Sequence, residues 1–167
     1  MTPERYEKIA APLRRYPGAV RALKGINRVL TALCYVLYPL LLLNLYAARD
    51  ERLWQCLLVP AAAFVLLSLF RGLWNAPRPY EQGIDSLMKK KTEGRSFPSR
   101  HVFSAFVIAM AWRSVDPGVG AALLAVGLLL AVIRVVGGVH YPKDVAAGAA
   151  AGVAAWWIGA GIFALLP

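Results

Sequence analysis

Apolar residues gather into five long runs separated by polar connections. The runs cover approximately Ile26–Ala48, Leu53–Trp74, Ser99–Trp112, Val119–Gly137 and Val145–Leu166. A helix needs about 20 residues to cross the hydrocarbon core of a bilayer, and four of the runs approach that length. The third is shorter, with its first turn and the preceding loop expected at the interface. Backbone polar groups cannot stay unpaired in lipid, so each run is expected to be helical. The pattern therefore predicts an all-α fold, an integral-membrane helical bundle of about five transmembrane helices.

The first 25 residues have a different texture. They are basic and broken by Pro3, Pro12 and Pro17, without a continuous apolar stretch of the kind a secretory signal needs. Arg5 to Lys24 reads as an N-terminal interfacial helix, or two short ones, lying against headgroups. Two parts follow: a basic amphipathic interfacial segment over 1–25 and a transmembrane domain over 26–167. Ala146–Gly152 is built of small residues only, which permits close helix packing and fits a monomer or a dimer equally. Trp54, Trp74 and Trp112 stand near run ends, as belt aromatics do.

Composition agrees with lipid as part of the solvent. The chain is 59% hydrophobic with a net charge of +10, and its mean hydropathy is +0.53. Such a basic balance suits nucleic acid, an anionic membrane or a phosphorylated substrate. Nucleic acid fits worst, because the basic residues lie between apolar runs and no recognition motif joins them. Cys34 and Cys56 sit inside apolar runs without ligand spacing, so they read as small hydrophobes. Lys89, Lys90 and Lys91 read as a solvated patch facing anionic lipid rather than a specific substrate contact.

Ionisable residues in or beside membrane spans are costly and therefore candidates for function. They concentrate at Arg71 with Arg78 and Pro79, at Phe97-Pro98-Ser99-Arg100-His101, and at Arg134 with His140 and Asp144. The chain has only two histidines, and both lie in these clusters. Pro98 can open a helix with Ser99 in its first turn, where unpaired N–H groups attract phosphate. Arg71, Arg78 and Arg134 offer charge and forked donors to phosphoryl oxygens. One helical turn would put His140 and Asp144 on one face, the carboxylate holding one ring nitrogen and leaving the other as nucleophile. His101, on the opposite side, could protonate a leaving oxygen. No carboxylate cluster remains to hold a metal, so neither metal nor cofactor is expected.

These residues resemble the signature of the type 2 phosphatidic acid phosphatase (PAP2) superfamily: K-x6-RP, then PSGH, then SR-x5-H-x3-D. Here the three read Arg71-x6-Arg78-Pro79, Pro98-Ser99-Arg100-His101 and Ile133-Arg134-x5-His140-x3-Asp144. The resemblance implies a metal-independent membrane lipid phosphate phosphatase working through a phosphohistidine. His140 would attack phosphorus, Asp144 would orient it, and His101 would be the acid. Arg71, Arg78, Ser99, Arg100 and Arg134 would hold the substrate phosphate. Arg71 replaces the usual Lys and Ile133 the usual Ser. Arg100 replaces Gly, as a contact to a second phosphate or acidic headgroup, or as a salt-bridged or snorkelling cation. The implied substrate is phosphatidic acid, phosphatidylglycerophosphate or a polyprenyl phosphate or diphosphate. The alternative, a non-catalytic scaffold or transporter binding phosphorylated lipids, would go with loss of His140 or Asp144, and both are present.

Five spans would put the N-terminus and the catalytic loop on one side. That side collects most of the Lys and Arg, while the other has only Arg49, Arg52 and Arg113. The positive-inside rule then leans the site of this multi-pass cell-membrane protein toward the cytoplasm.

Overall fold

The computed structural model describes residues 1–88 and 92–165; the run Lys89–Lys91 lies outside them, as does the end of the fifth apolar run. The described residues form six α-helices: α1 (Pro3–Arg14), α2 (Pro17–Ala47), α3 (Arg52–Trp74), α4 (Arg100–Arg113), α5 (Pro117–Val136) and α6 (Pro142–Phe163). A single 3-10 turn, Pro79–Glu81, interrupts the long connection before α4. No strand occurs among the described residues. Proline stands at the first position of α1, α2, α5 and α6, where its missing N–H costs nothing and its fixed φ favours the helix.

Helices α2, α3, α5 and α6 are long and apolar enough to cross a membrane. Helix α4, the expected third span, has 14 residues, and almost all of it from Val102 to Ala111 is buried. Protein rather than lipid surrounds it: α4 packs on α5 and α6 most extensively, and also on α3 and α2. Its length is about 21 Å, short of the hydrocarbon thickness of about 30 Å. Trp112 shows this environment directly, since its indole donates to the Leu37 carbonyl at 3.1 Å. Trp54 and Trp74, on the outer helix α3, are exposed.

Close approach of α4 and α6 depends on two glycines. A Cβ on Gly148 would meet the Ser99 carbonyl oxygen at 2.6 Å, and one on Gly152 would meet that of Phe103 at 2.8 Å. The small-residue stretch in α6 thus lets two backbones touch. The outer faces of α2, α3, α5 and α6 expose Val36, Leu43, Leu66, Leu69, Val132 and Ile158, a belt suited to lipid. Cys34 and Cys56 are both buried in the packing.

The boundary expected near residue 25 falls inside α2, which begins at Pro17 and continues unbroken. Only α1 is a separate short helix. It buries Tyr6 and Ala10 against Ile84 and Leu87, and the Tyr6 hydroxyl donates to the Val136 carbonyl at 3.1 Å. Arg14 pairs with Asp85 at 3.0 Å. The N-terminus therefore lies at the same end of the bundle as the connections carrying Arg78, His101 and His140.

Candidate active site

Three segments meet at that end: the tail of α3 with residues 75–79, the connection 94–101 opening α4, and the tail of α5 with residues 137–144. Between them lies a cavity of about 540 Å³ whose lining includes Ser68, Arg71, Arg78, Arg95, Arg100, His101, Arg134 and His140. Of the residues expected to act, Arg71, Arg78, Arg100, His101, Arg134 and His140 line it together. Ser99 and Asp144 are packed behind, 0% and 1% exposed.

His140 is 1% exposed and belongs to the loop before α6, not to a shared helical turn as the spacing suggested. Its backbone N–H donates to the Arg134 carbonyl at 3.3 Å. Asp144 is the third residue of α6, and its Oδ2 lies 3.5 Å from His140 Nδ1. The loop bends so that the pair meets across the helix start rather than along it. Oδ2 also accepts from the Tyr141 N–H at 2.9 Å and from Ser96 Oγ at 2.6 Å. Ser96 Oγ is itself 3.4 Å from His140 Nδ1. The Nδ1 edge is thus occupied, and Nε2 remains for chemistry. Burial pushes the imidazole down to about 4 against the pull of Asp144, and Arg134 and Arg78 push the same way. At neutral pH the ring is uncharged, the form a nucleophile needs.

Ser96 is a residue that sequence reasoning missed. It is 1% exposed and stands three positions before Ser99, outside the motif. Nothing in its spacing to His140 or Asp144 announces the contact.

The arginines divide into two uses. Arg71 donates to the carbonyls of Arg95 and Pro98 and, at 3.4 Å, to that of Ser96. Arg78 donates from Nε to the Gly94 carbonyl at 2.9 Å, while Glu81 accepts from the N–H groups of Arg78 and Gly94 at 2.7 and 2.9 Å. Both arginines fasten the connection that carries Ser96 and Ser99. Among the described residues Arg134, 1% exposed, makes one long hydrogen bond, Nη1 to Asn27 Oδ1 at 3.4 Å. Its Nε and Ser99 Oγ are, among the described residues, buried donors without a partner, and Asp144 Oδ1 is a buried acceptor in the same condition. An unmet buried polar group costs about 1–3 kcal/mol. Arg134 lines the same cavity as His140 with its Nε unmet, and Ser99 Oγ lies unmet behind the wall.

Ser99 is the N-cap of α4, not a first-turn residue, and its side chain does not cap the helix. Its N–H donates to the Asp144 carbonyl at 2.8 Å, joining α4 to α6. Arg100 turns toward α3, its guanidinium 5.5 Å from the Phe64 ring centroid. Among the described residues, no three His, Cys, Asp or Glu side chains form a metal-ligand set.

A helical membrane protein with an arginine-lined polar cavity at one end of its bundle is the class that fold and site define. The chain belongs to the PAP2 superfamily, whose model matches residues 52–165. The crystal structure of LpxE from Aquifex aeolicus is similar, with a TM-score of 0.73 and 27% identity over 95% of this chain and 93% of that one. The crystal structure of the first transmembrane PAP2 type phosphatidylglycerolphosphate phosphatase, from Bacillus subtilis, shares the fold. Its TM-score is 0.71, with 20% identity over 98% of this chain and 87% of that one. No curated protein sequence matches the chain. Family match and shared fold together make it a helical membrane protein of the PAP2 type.

Proposed function

We propose that the chain hydrolyses a lipid phosphomonoester or diphosphate, without a metal, through a phosphohistidine on His140. The observation that carries this reading is the buried, uncharged His140 with Nδ1 held by Asp144 and Ser96 at the wall of an arginine-lined cavity. Nε2 attacks phosphorus, the bond to the leaving oxygen breaks, and His101 gives that oxygen a proton. Water then attacks phosphorus, the P–Nε2 bond breaks, and the same His101 takes up the water proton. Inorganic phosphate and free His140 result. Arg134, Ser99 and Arg78 supply donors to the phosphoryl oxygens, where charge develops. Arg71 adds charge and holds the 95–98 backbone, and Arg100 adds charge at the wall.

Phosphatidic acid, phosphatidylglycerophosphate and polyprenyl phosphate or diphosphate are the candidate substrates. The excess of Lys and Arg at the cavity end supports a cytoplasmic site. Labelling of a Lys90→Cys protein in intact cells by an impermeant thiol reagent would reverse that orientation.

Phosphate release by the purified protein in detergent tests the main reading. Release is expected to persist in EDTA and to vanish in His140→Ala. Equal release by mutant and wild type would overturn the assignment of the nucleophile. Silence across all the candidate lipids would favour the non-catalytic scaffold or transporter.

A further inference from the structure

All of α2 lies in front of the family-matched residues, which begin at 52, yet α2 turns a polar stripe toward the site. Lys24, Asn27, Arg28, Thr31 and Tyr35 recur at steps of three and four, so they share one face of an otherwise apolar helix. They help line a second cavity, of about 560 Å³, which His101 also borders. His101 is thus common to both cavities, with the phosphate cavity on one side and the α2 cavity on the other. The two are joined again deeper down, where Asn27 accepts from Arg134. Arg100, the residue before His101, points the other way, over Phe64 of α3.

The direction of the reaction gives this arrangement a meaning, on the reading of His140 as nucleophile and His101 as acid. Attacking and leaving atoms lie roughly in line through phosphorus. The group attached to the leaving oxygen therefore departs on the side of the acid, where the α2 cavity opens. Two cations border that cavity. Lys24 and Arg28 are exposed, and among the described residues neither forms an ion pair. Further along the same face Thr31 and Tyr35 descend toward the middle of the span.

We infer that the α2 cavity is a leaving-group subsite, and that Lys24 and Arg28 select lipids whose leaving group carries a second phosphoryl group. A lipid diphosphate, whose leaving group is a lipid monophosphate, meets that description. So does a phosphorylated headgroup that keeps a phosphodiester behind the scissile bond. A simple lipid monophosphate, whose leaving group is an uncharged alcohol, does not.

The test is equilibrium binding of a prenyl diphosphate and a prenyl monophosphate of the same chain length to His140→Asn protein in uncharged micelles. Arg28→Gln and Lys24→Gln are each expected to weaken the diphosphate about tenfold or more, the scale of one lost charged hydrogen bond, and the monophosphate less than threefold. Arg28→Lys retains the charge and should retain the preference, which separates recognition from misfolding. Arg100→Gly, on the α3 side, should weaken both lipids alike. Equal or absent weakening by the α2 variants would overturn the subsite, as would selectivity residing in Arg100. Loss of binding to phosphatidylglycerol micelles with an unchanged diphosphate preference would also overturn it, assigning the cations to bulk lipid. Because binding is read without turnover, failure of the phosphohistidine reading would appear separately, as phosphate release by His140→Ala.

Discussion

The two ends of the bundle use the same residue types in opposite ways. At the end formed by residues 48–51 and 114–116, connections are short, and Asp50, Arg52 and Asp116 find partners nearby. Asp50 accepts from Arg52 Nε at 2.9 Å and Nη2 at 2.6 Å, and Arg52 Nη1 donates to the Ser114 carbonyl at 2.7 Å. Asp116 caps α5 through the N–H groups of Gly118 and Val119 at 2.8 and 3.0 Å. At the cavity end, arginines are buried, two of them spend donors on a loop, and Arg134, Ser99 and Asp144 keep polar atoms without partners. Asp50, Arg52 and Asp116 are satisfied locally at one end, while buried polar atoms stay unmet at the other, and on the proposed function that asymmetry marks the phosphate site.

Replacing the deepest charge breaks the asymmetry most severely. Arg134→Met is expected to lower kcat/KM by about 10²- to 10³-fold, as loss of a donor to developing charge does. The same change should leave the melting temperature equal or higher, since an apolar side chain of similar length relieves a buried guanidinium with an unmet Nε. Retained activity, or collapse of the fold, would remove the contrast between the two ends.

Ser96→Ala comes next. A loss of about tenfold or more in kcat with little change in KM is expected, with partial rescue by Ser96→Thr. Since the chain has only two histidines, ¹⁵N-histidine labelling reads the tautomer of His140 directly. Wild type should carry its proton on Nδ1, and Ser96→Ala a mixture. An unchanged tautomer would reduce Ser96 to packing.

The pH profile sharpens the comparison further. His140 sits near 4 in the folded protein, against about 6.5 for a free imidazole. With His140 as the proposed nucleophile the neutral ring is the active form, so kcat/KM should hold from pH 7 to about 5 and fall through about 4. The unfolded chain takes up this proton at the higher pH, so His140 makes the fold less stable as pH drops from 6.5 toward 4. An acid limb near 6.5 would mean that the ring is solvated. The smallest effect belongs to the far end. The hydrogen bonds from Arg52 hold the Asp50 carboxyl down to about 2, but the group is exposed. Asp50→Asn should change melting by a few degrees at most and leave phosphate release unaltered.

What could be read from the sequence follows the range of the interactions involved. Run length announces the spans, because lipid forces each backbone to satisfy itself within its own helix. Cationic and histidine residues at run ends announce the cavity, because charge is costly there. The contacts of Ser96 with Asp144 and of Asn27 with Arg134 join residues 48 and 107 positions apart. Such pairings depend on how α4 seats against α6 at Gly148 and Gly152, and how α2 seats against α5. Ser99 as an N-cap and His140 in a loop are shifts of a residue or two at helix ends, where spacing alone is weakest. That Arg71 serves the 95–98 backbone follows only from the path of a connection with no periodicity to read.

The central claim is that His140 carries the phosphoryl group. Rapid quenching of turnover with a ³²P-labelled lipid phosphate, followed by peptide mapping, reads it directly. An acid-labile, base-stable label is expected on the peptide containing residue 140, absent in His140→Ala. Label on His101 or on a carboxylate or hydroxyl side chain, or full turnover by His140→Ala, would contradict it.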